Sequence, residues 1–365
     1  MNNRIQLLQN WLQEKDLSAA FITSTENVFH LSSFYSDPHE RLLCLAVFPA
    51  HEPILICPKM EVQDVKNSGW IHDIIGYTDI ENPWELIKQA IHNRNVKITK
   101  VAVEKEHMNV ERYEQILTYF SSPTFVSAEE KLRQLRMIKD EKELNLLREA
   151  CKFADYAIEV GVSEIKEGKT EMDVLATIEY ELKKKGISEM SFSTMVLTGK
   201  NAASPHGTPG NTKIKKGDLV LFDLGVVYEG YCSDITRTVA YYDINDKQNE
   251  IYQTVLQAQL AALEASKPGA TCAEIDFAAR NYIASKGYGE YFPHRLGHGL
   301  GISVHEYPSL TETNSLKVEK GMVYTIEPGI YVPEIAGVRI EDDVYITKDG
   351  HEVLTKYPKE LQIIK

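Results

Sequence analysis

The sequence predicts an α+β fold in which a smaller α/β domain, residues 1–125, precedes a larger domain, residues 126–365. In the first part, strand-like and helix-like runs alternate, as is typical of α/β domains. In the second part, long amphipathic helices are interleaved with hairpin-like segments that carry acidic residues. This pattern favours a strongly curved antiparallel sheet with helices on its outer face and the acids on its inner face. A chain of 365 residues is long enough for both domains.

The first domain is predicted from short apolar runs that lie between helical patterns. Strand-like runs occupy residues 19–23, 42–48, 53–57 and 100–104, and helical patterns occupy residues 83–92 and 109–120. Before them, Ile5, Leu8, Trp11 and Leu12 recur at helical spacing among polar residues. No apolar run of about 7–15 residues follows, so we expect an amphipathic helix rather than a signal peptide.

Four amphipathic helices are predicted in the second domain, at residues 140–160, 170–186, 246–266 and 271–287. Thr271 and Glu274 have the spacing of a capping box, in which each side chain accepts a backbone N–H of the other residue. Thr170 and Asp173 mark the start of another of these helices, and Gly186 marks its end. The segments between the helices are left for strands.

One predicted hairpin carries two aspartates. Asp223 and Asp234 flank a turn that we expect to be centred near Tyr228 and Glu229, which would place the two aspartates directly opposite each other. Directly opposed residues share a face of the sheet, with Cβ atoms about 5 Å apart. Two like charges at that distance repel unless a cation lies between them.

A second predicted hairpin repeats this arrangement with glutamates. Strand-like segments at residues 322–330 and 338–347 flank a loop at residues 333–337, and Glu327 mirrors Glu341 about that loop. The two hairpins suggest an internal repeat that brings four carboxylates to one site.

The four acids, together with His298 between two glycines, predict a metal site. Each acid lies in or beside an apolar or glycine-rich stretch, where an unpaired charge is costly. Any one of them alone is more simply explained as an ordinary hairpin or surface residue, but the set is not. Four carboxylates balance two divalent cations. Oxygen ligands with one imidazole favour Mn²⁺, with Co²⁺, Fe²⁺ or Zn²⁺ as alternatives, and fit Mg²⁺ less well.

These residues resemble the ligand set of the pita-bread metallopeptidases (family M24), the group that contains methionine aminopeptidase, aminopeptidase P and prolidase. The resemblance covers essentially the whole chain, and residues 36–41 are similar to a segment of bacterial Xaa-Pro dipeptidases (prolidases). It implies a pita-bread catalytic domain preceded by a creatinase-like N-terminal domain. The other motifs that carry it lie at residues 201–207, 294–299, 304–308 and 327–331.

The resemblance also implies roles for individual residues. All five expected metal ligands are present, namely Asp223, Asp234, His298, Glu327 and Glu341. The residues expected in catalysis are Glu327 as general base, His206 and His305 as donors to the tetrahedral intermediate, and Arg339. Arg339 would steady the ligands or the substrate, and pairing with a neighbouring carboxylate is the alternative.

Five further residues are expected to bind substrate. Arg295 would clamp the substrate carboxylate, because a guanidinium matches a carboxylate bidentately. Phe192 and Val304 would line the side-chain pocket. His39 and Arg41 belong to a charged segment that, by resemblance, reaches over the site of a second subunit and limits peptide length; a plain surface loop is the alternative.

The activity implied by the resemblance is hydrolysis of Xaa-Pro dipeptides by a homodimeric enzyme. The nearest alternative is aminopeptidase P, which shares the metals and the chemistry but acts on longer peptides. Two further alternatives are a non-catalytic binding module on the same fold and a metal-independent amidinohydrolase of the creatinase type. Retention of all five ligands disfavours both of these.

Composition limits the partners and the compartment. The net charge of −13 and the pI near 5.4 disfavour nucleic acid and anionic membranes as partners and fit a soluble enzyme. The partner that the resemblance implies is a small peptide substrate. No stretch approaches the roughly 20 apolar residues that a membrane helix needs. The five cysteines are scattered and odd in number, so we expect a reducing, cytoplasmic environment without disulfides.

Overall fold

The computed structural model describes residues 3–365; the first two residues of the predicted first domain lie outside this range. The chain divides into two compact units between Arg136 and Met137, whereas the sequence placed the boundary after residue 125. Residue 125 lies inside a strand, residues 124–127, that pairs with residues 100–103. The helix that follows buries Leu132 in the core of the first unit. The linker therefore comes after that helix, because the strand and the helix both belong to the first unit.

The first unit contains a six-stranded mixed sheet. Its strands are β1 (Ala19–Ile22), β2 (Cys44–Val47), β3 (Ile54–Pro58), β4 (Asp73–Tyr77), β5 (Lys100–Val103) and β6 (Thr124–Ser127), in the order β4-β3-β2-β1-β5-β6. Its helices are α1 (Asn3–Glu14), α2 (Thr25–Ser32), α3 (Val62–Asn67), α4 (Pro83–Asn93), α5 (Val110–Tyr119) and α6 (Glu129–Met137), with a short 3₁₀ helix at Lys59–Glu61.

Apolar residues cover both faces of this sheet. Along β1, Ala20 and Ile22 pack into one core, whereas Ala19 and Phe21 pack into the other. Because successive side chains of a strand point to opposite faces, a strand that is apolar throughout must be buried on both sides. The α/β organisation predicted for this part is confirmed.

The second unit contains four long helices, and each begins within one residue of its predicted start. They are α7 (Glu141–Ser163), α8 (Glu171–Lys184), α9 (Asp246–Ala265) and α10 (Cys272–Ser285). Asp140, Thr170, Asn245 and Thr271 each form a capping box with the residue three positions later. A capping box satisfies two backbone N–H groups that the first helical turn leaves free, which explains why the sequence located these starts closely.

The strands of the second unit form four small sheets. In chain order they are β7 (Glu189–Met190), β8 (Met195–Thr198), β9 (Leu219–Leu224), β10 (Val226–Tyr228), β11 (Tyr231–Cys232), β12 (Ile235–Tyr241), β13 (Gly297–Gly299), β14 (Glu306–Leu310), β15 (Val323–Ile326), β16 (Gly329–Val332), β17 (Ala336–Arg339), β18 (Asp342–Ile346), β19 (His351–Val353) and β20 (Ile363–Ile364). Short 3₁₀ helices lie at Gly199–Ala203 and Gly289–Tyr291. The sheet orders are β11-β10-β7, β20-β12-β9-β8, β14-β13-β15-β18-β19 and β16-β17, antiparallel except for β12 with β20.

The second unit has two halves with a similar arrangement of helices and strands. In each half, a helix pair precedes an acid-bearing hairpin and packs against it: α7 and α8 share a core with β9 and β12, and α9 and α10 share a core with β15 and β18. This arrangement agrees with the repeat suggested by the two hairpins. All five cysteines are buried thiols. Within residues 3–365, no helix is both long enough and apolar enough to cross a lipid bilayer.

Candidate metal centre

The structure contains the predicted aspartate hairpin, but the predicted pairing register of its strands is wrong. Strands β9 and β12 pair Asp223 with Thr236, not with Asp234. The turn is formed by Glu229 and Gly230, which have φ values of 48° and 81°, so its centre lies one residue later than predicted. Two successive positive φ angles are typical of the type I′ turn, which fixes the register of a two-residue hairpin. Asp234 is therefore a diagonal neighbour of Asp223 on the same face, at a spacing of about 7–8 Å.

A glycine allows the chain to pass close to Asp234. A Cβ placed on Gly225 would lie 1.8 Å from the carbonyl oxygen of Ser233. Ser233 and Asp234 lie between β11 and β12, outside either strand. The close approach of Gly225 to this break leaves the Asp234 side chain turned towards the cavity described below.

The glutamate hairpin has the predicted register. Ile326 pairs with Asp342 on one side of the acids, and Gly329 pairs with Arg339 on the other side. This register places Glu327 opposite Glu341, at the break between β15 and β16 and between β17 and β18. Both glutamates therefore face the same space.

His298 reaches that space from β13. A Cβ on Gly297 would lie 1.9 Å from the carbonyl oxygen of Thr325, and one on Gly299 would lie 2.4 Å from that of Tyr307. Only glycine fits on either side of His298, because β13 lies close against its neighbours. The imidazole Nδ1 lies 3.1 Å from the carbonyl oxygen of Gly299, and a proton on Nδ1 leaves Nε2 free to act as a ligand.

The side chains converge on a cavity of about 590 Å³. His298 Nε2 lies 3.3 Å from Glu327 Oε1 and 3.7 Å from Asp234 Oδ2. Each of Asp234, His298 and Glu341 offers a donor atom within 4.8 Å of the other two. The structure thus brings together all five residues that the sequence selected as metal ligands, and all five line the cavity.

The carboxylates of this cluster fit a cation. One oxygen of each of Asp223, Asp234 and Glu341 is buried and has no hydrogen-bond partner. Burial, followed by repulsion from neighbouring acids, raises the pKa of both Asp234 and Glu341 well above the usual range. Buried oxygens without donors are expensive unless an ion coordinates them. A divalent cation would supply the positive charge that the protein does not.

Arg339 is held by protein groups on all sides of its guanidinium. Nη2 donates to Asp223, Nη1 donates to the Tyr331 hydroxyl, and Nε donates to Thr236 Oγ1 at 3.1 Å. Burial opposes its charge, but Tyr331 and the carboxylates of Asp223, Glu327 and Glu341 together outweigh burial and raise the pKa of Arg339 well above its usual value. Of the alternatives considered for Arg339, these contacts favour pairing with a carboxylate over a direct role in binding substrate.

Other predicted residues are divided between the cavity and the rest of the molecule. Phe192, His206, Arg295 and His305 line the cavity, and Val304 is not among the lining residues. The chain bends through residues 301–305, so the contact of His305 with the cavity does not extend to the residue before it. The expected place of Val304 in the pocket is thus not what the structure shows.

His39 and Arg41 lie in the first unit and do not line this cavity. Arg41 pairs with Asp79 through Nε at 2.9 Å and with Glu40 through Nη1 at 3.1 Å. The predicted role of these two residues concerned the site of a second subunit, and it stays a prediction.

Two residues at the site were given no role by the sequence. His294 lines the cavity, and its Nε2 lies 3.0 Å from the Tyr331 hydroxyl, which in turn contacts Arg339. Alternation along the strand could have located Tyr331, because it lies two residues beyond Gly329 and four beyond Glu327 and so shares their face. Burial raises the pKa of Tyr331 to about 12, so its hydroxyl keeps its proton.

Comparison with known proteins identifies the family. Residues 145–348 match the model of metallopeptidase family M24, and residues 4–138 match that of the creatinase/prolidase N-terminal domain. The chain belongs to metallopeptidase family M24. The fold class predicted from the sequence and the predicted resemblance are both confirmed.

Individual relatives cover the whole chain. A protein of Bacillus subtilis (strain 168) named "Putative dipeptidase YkvY" is 59% identical over 362 residues, which are 99% of this chain and 100% of that protein. The crystal structure of the prolidase from Pyrococcus horikoshii OT3 has a TM-score of 0.92 at 36% identity, covering 99% of this chain and 100% of that chain. The Xaa-Pro dipeptidase from Bacillus anthracis has a TM-score of 0.93 at 33% identity, covering 99% of both chains. The X-Pro aminopeptidase from Thermotoga maritima MSB8 has a TM-score of 0.87 at 30% identity, covering 96% of this chain and 98% of that chain.

Proposed function

We propose that this metallopeptidase is a Xaa-Pro dipeptidase that binds two divalent cations, with Mn²⁺ as the preferred metal. The proposed ligands are Asp223, Asp234, His298, Glu327 and Glu341. The observation that carries the proposal is the convergence of three unpartnered carboxylate oxygens and His298 on one cavity. Four carboxylates balance the charge of two dications, so two ions fit better than one. The names of the dipeptidase and prolidase relatives support the reaction.

When bound, divalent cations supply Lewis-acid polarisation of a carbonyl and activation of water. Glu327 is the proposed general base. Before cations bind, burial raises the pKa of Glu327, but the hydrogen bond and charge of His298, together with the charges of His294 and Arg339, outweigh burial, and the net shift lowers the pKa of Glu327. Glu327 is thus ionised at neutral pH and able to accept a proton and to return it to the leaving nitrogen.

His305 and His206 are the proposed donors to the developing oxyanion. Burial, followed by the charges of His298 and Arg295, lowers the pKa of His305 to about 4. His305 is therefore neutral at neutral pH and donates as an imidazole N–H. Its ring centroid lies 4.3 Å from that of His298, at the edge of the ligand cluster. A donor of this kind contributes about 3 kcal/mol to stabilisation of the transition state.

Arg295 is the proposed clamp for the substrate carboxylate. Among residues 3–365, no acid lies within ion-pair distance of Arg295, and its Nη1 makes one long contact of 3.4 Å to Ser309 Oγ. Its guanidinium lines the cavity and is free for a carboxylate, whereas that of Arg339 is not. A dipeptide ending in proline presents a carboxylate next to the scissile bond. Phe192 and Met195 provide apolar wall for the side chain before proline.

We propose a homodimer in which His39 and Arg41 limit peptide length at the site of the second subunit. Both side chains belong to a polar segment of the first unit, and His39 is 74% exposed. The exposed imidazole of His39 is available to a second copy of the chain, whereas the guanidinium of Arg41 is 29% exposed and pairs with Asp79 and Glu40. The X-Pro aminopeptidase among the similar structures makes activity on longer peptides the second candidate.

A peptide panel tests the proposal. Apoprotein prepared with a chelator is assayed with Ala-Pro, Ala-Pro-Gly and Ala-Pro amide, with and without Mn²⁺. We expect Ala-Pro to be hydrolysed only after Mn²⁺ is restored, and faster than Ala-Pro-Gly. Faster cleavage of Ala-Pro-Gly would favour the aminopeptidase, and activity that is indifferent to chelation would contradict the metal centre. The double variant H39A/R41A should reduce the difference in hydrolysis rate between Ala-Pro and Ala-Pro-Gly.

An Arg295→Met variant in the same panel tests the clamp. Hydrogen bonds to a charged group contribute about 1.5–3 kcal/mol. We therefore expect kcat/KM for Ala-Pro to fall by roughly 10- to 100-fold, with a much smaller change for Ala-Pro amide. An equal loss on both peptides would show that Arg295 supports the fold of the site rather than the carboxylate.

A further inference from the structure

The two acid-bearing hairpins contact each other along a line of three residue pairs, which we call the seam: Thr238 with Arg339, Thr236 with Glu341, and Asp234 with Asp343. Each step of two residues along the first hairpin is matched by a step of two residues in the opposite direction along the second hairpin. The seam therefore follows an antiparallel pattern. It joins Asp234, a proposed ligand from one hairpin, to the strand that follows Glu341, a proposed ligand from the other.

The first two pairs of the seam use backbone groups on the side of the glutamate hairpin. The N–H of Arg339 donates to Thr238 Oγ1 at 3.3 Å, and Thr238 Oγ1 donates to the carbonyl of Arg339 at 3.0 Å. The N–H of Glu341 donates to the carbonyl of Thr236 at 3.1 Å, and the Thr236 hydroxyl donates to Glu341 Oε2 at 2.6 Å. These bonds fix Glu341 at both its backbone and its side chain.

In the third pair, a side chain takes the place of a backbone carbonyl. The N–H of Asp234 donates to Asp343 Oδ2 at 3.0 Å. Asp234 lies in the break between β11 and β12, so no strand partner accepts this N–H. The carboxylate of Asp343 is the group that holds the backbone of Asp234.

Asp343 is held through its backbone and through Oδ2, whereas its Oδ1 has no hydrogen-bond partner. It is fully buried, its N–H donates to Thr355 Oγ1 at 3.3 Å, and its carbonyl accepts the N–H of Leu354 at 2.8 Å. Cys151, on α7, donates its thiol to the same Oδ2 at 3.2 Å. Asp343 does not line the cavity and does not belong to the group of candidate ligand atoms.

We propose that Asp343 is a positioning residue, which fixes the backbone of Asp234 and thereby the direction in which the Asp234 carboxylate faces the cations. The inference rests on the proposed metal centre. Groups that orient a metal ligand from behind typically change metal affinity by about 10- to 100-fold when they are removed. Asp343 orients Asp234 by accepting a hydrogen bond from the backbone N–H of Asp234 rather than by contacting the Asp234 side chain.

The test compares four variants of the full-length protein. Asp343→Leu and Asp343→Ala both remove the acceptor, but the first fills the space and the second leaves a hole. Asp343→Asn keeps an oxygen that can accept the N–H of Asp234. Cys151→Ala is the matched control, because it removes the other partner of Asp343 Oδ2 and leaves the bond to Asp234 in place.

The measurement is the Mn²⁺ dissociation constant of each folded apoprotein, determined by calorimetric titration, with thermal unfolding of the apoprotein as the check on folding. We expect D343L and D343A to bind Mn²⁺ about 10- to 100-fold more weakly than the wild type, and D343N and C151A to stay close to it. The visible spectrum of the Co²⁺-loaded protein should change in D343L and D343A but not in C151A. If D343L does not fold, D343A decides the matter.

Three results would overturn the inference. The first is wild-type Mn²⁺ affinity in folded D343L or D343A. The second is an equal loss of affinity in C151A, which would indicate general packing rather than the bond to Asp234. The third is the absence of Mn²⁺ binding by the wild-type protein, which would overturn the proposed metal centre as well. Because the readout is metal affinity, a protein that binds Mn²⁺ without cleaving Ala-Pro still tests Asp343.

Discussion

Glu341 and Asp342 are neighbours in the chain, both are buried, and their surroundings are opposite. Asp342 accepts hydrogen bonds at both oxygens, from Arg237 at 2.7 Å, Thr355 at 2.8 Å, Gln259 at 2.6 Å, and Lys359. Glu341 accepts one side-chain bond, from Thr236, and its other oxygen has no partner. Burial raises the pKa of both acids, but for Asp342 the charges of Arg237 and Lys359 outweigh burial and lower the pKa to about 2. The pKa of Glu341 is raised well above its usual value.

The comparison shows that burial alone does not reveal what an acid does. A buried carboxylate with two cationic partners is satisfied by the protein and serves the fold. A buried carboxylate that faces other carboxylates, as Glu341 and Asp234 do, is neutralised by a proton or by a cation from outside the chain. The two kinds of acid make opposite predictions for stability and activity.

The largest expected effect is on activity when a cavity acid is neutralised. Asp234→Asn removes a proposed ligand and one of the charges that repel each other in the apoprotein. We expect kcat/KM for Ala-Pro to fall by at least about 10³-fold, since metal ligation supplies several kcal/mol of transition-state stabilisation. The midpoint of thermal unfolding of the apoprotein should stay the same or rise. Mn²⁺, which should stabilise the wild type by binding its folded state, should lose most of that effect in D234N.

A fall in the unfolding midpoint of D234N apoprotein comparable to that of a core substitution would contradict this assignment, because it would mean that Asp234 serves the fold. Glu341→Gln should behave like D234N and provides an independent replicate from the other hairpin.

The next largest effect is a loss of stability when Asp342, the acid with cationic partners, loses one of them. Arg237 is 1% exposed, and it also donates to the backbone carbonyls of Thr236 and Glu341. Arg237→Met leaves Asp342 with Lys359 as its single cationic partner. We expect a loss of about 3–5 kcal/mol in the free energy of unfolding, because removal of one partner leaves a buried charge poorly compensated. Thermal unfolding of the apoprotein measures this loss.

The double variant R237M/D342L is the control for that prediction. Replacing both members of a buried ion pair by apolar residues is often close to neutral. The double variant should therefore be more stable than R237M alone. If it is less stable, the contacts of Arg237 with the backbone of Thr236 and Glu341 contribute more than its pairing with Asp342.

The sequence predicted the composition of the cavity cluster but not the partners of each acid. The positions of Glu327 and Glu341 followed from their symmetry about one loop, which is a local property. The register of Asp223 and Asp234 was placed incorrectly because Glu229 adopts a positive φ, which its residue type does not announce. The pairing of Arg237 with Asp342 joins residues 105 positions apart, and no local pattern distinguishes Asp342 from Glu341.

The fold was predictable for similar reasons. Helix starts were located closely because capping boxes are local, and the core strands of the first unit were apolar throughout. The boundary between the units was placed too early because Ser121-Ser122-Pro123 has the composition of a linker. In the structure this segment is a turn that leads into β6, and the sequence does not show that β6 pairs with β5.

The smallest expected effect extends the comparison to an acid near the surface. Glu352 pairs with Arg148 on α7 through Nη2 at 2.6 Å, and both side chains are 34% exposed. The hydrogen bond to Arg148 lowers the pKa of Glu352, as the partners of Asp342 do for that residue, yet water remains available to both groups here. Arg148→Ala should therefore cost no more than about 1 kcal/mol, with unchanged kcat/KM for Ala-Pro and unchanged Mn²⁺ affinity. The same thermal unfolding assay measures it beside R237M. A loss as large as that of R237M would show that a cationic partner matters regardless of solvent exposure, and burial would then not be what separates Asp342 from Glu352.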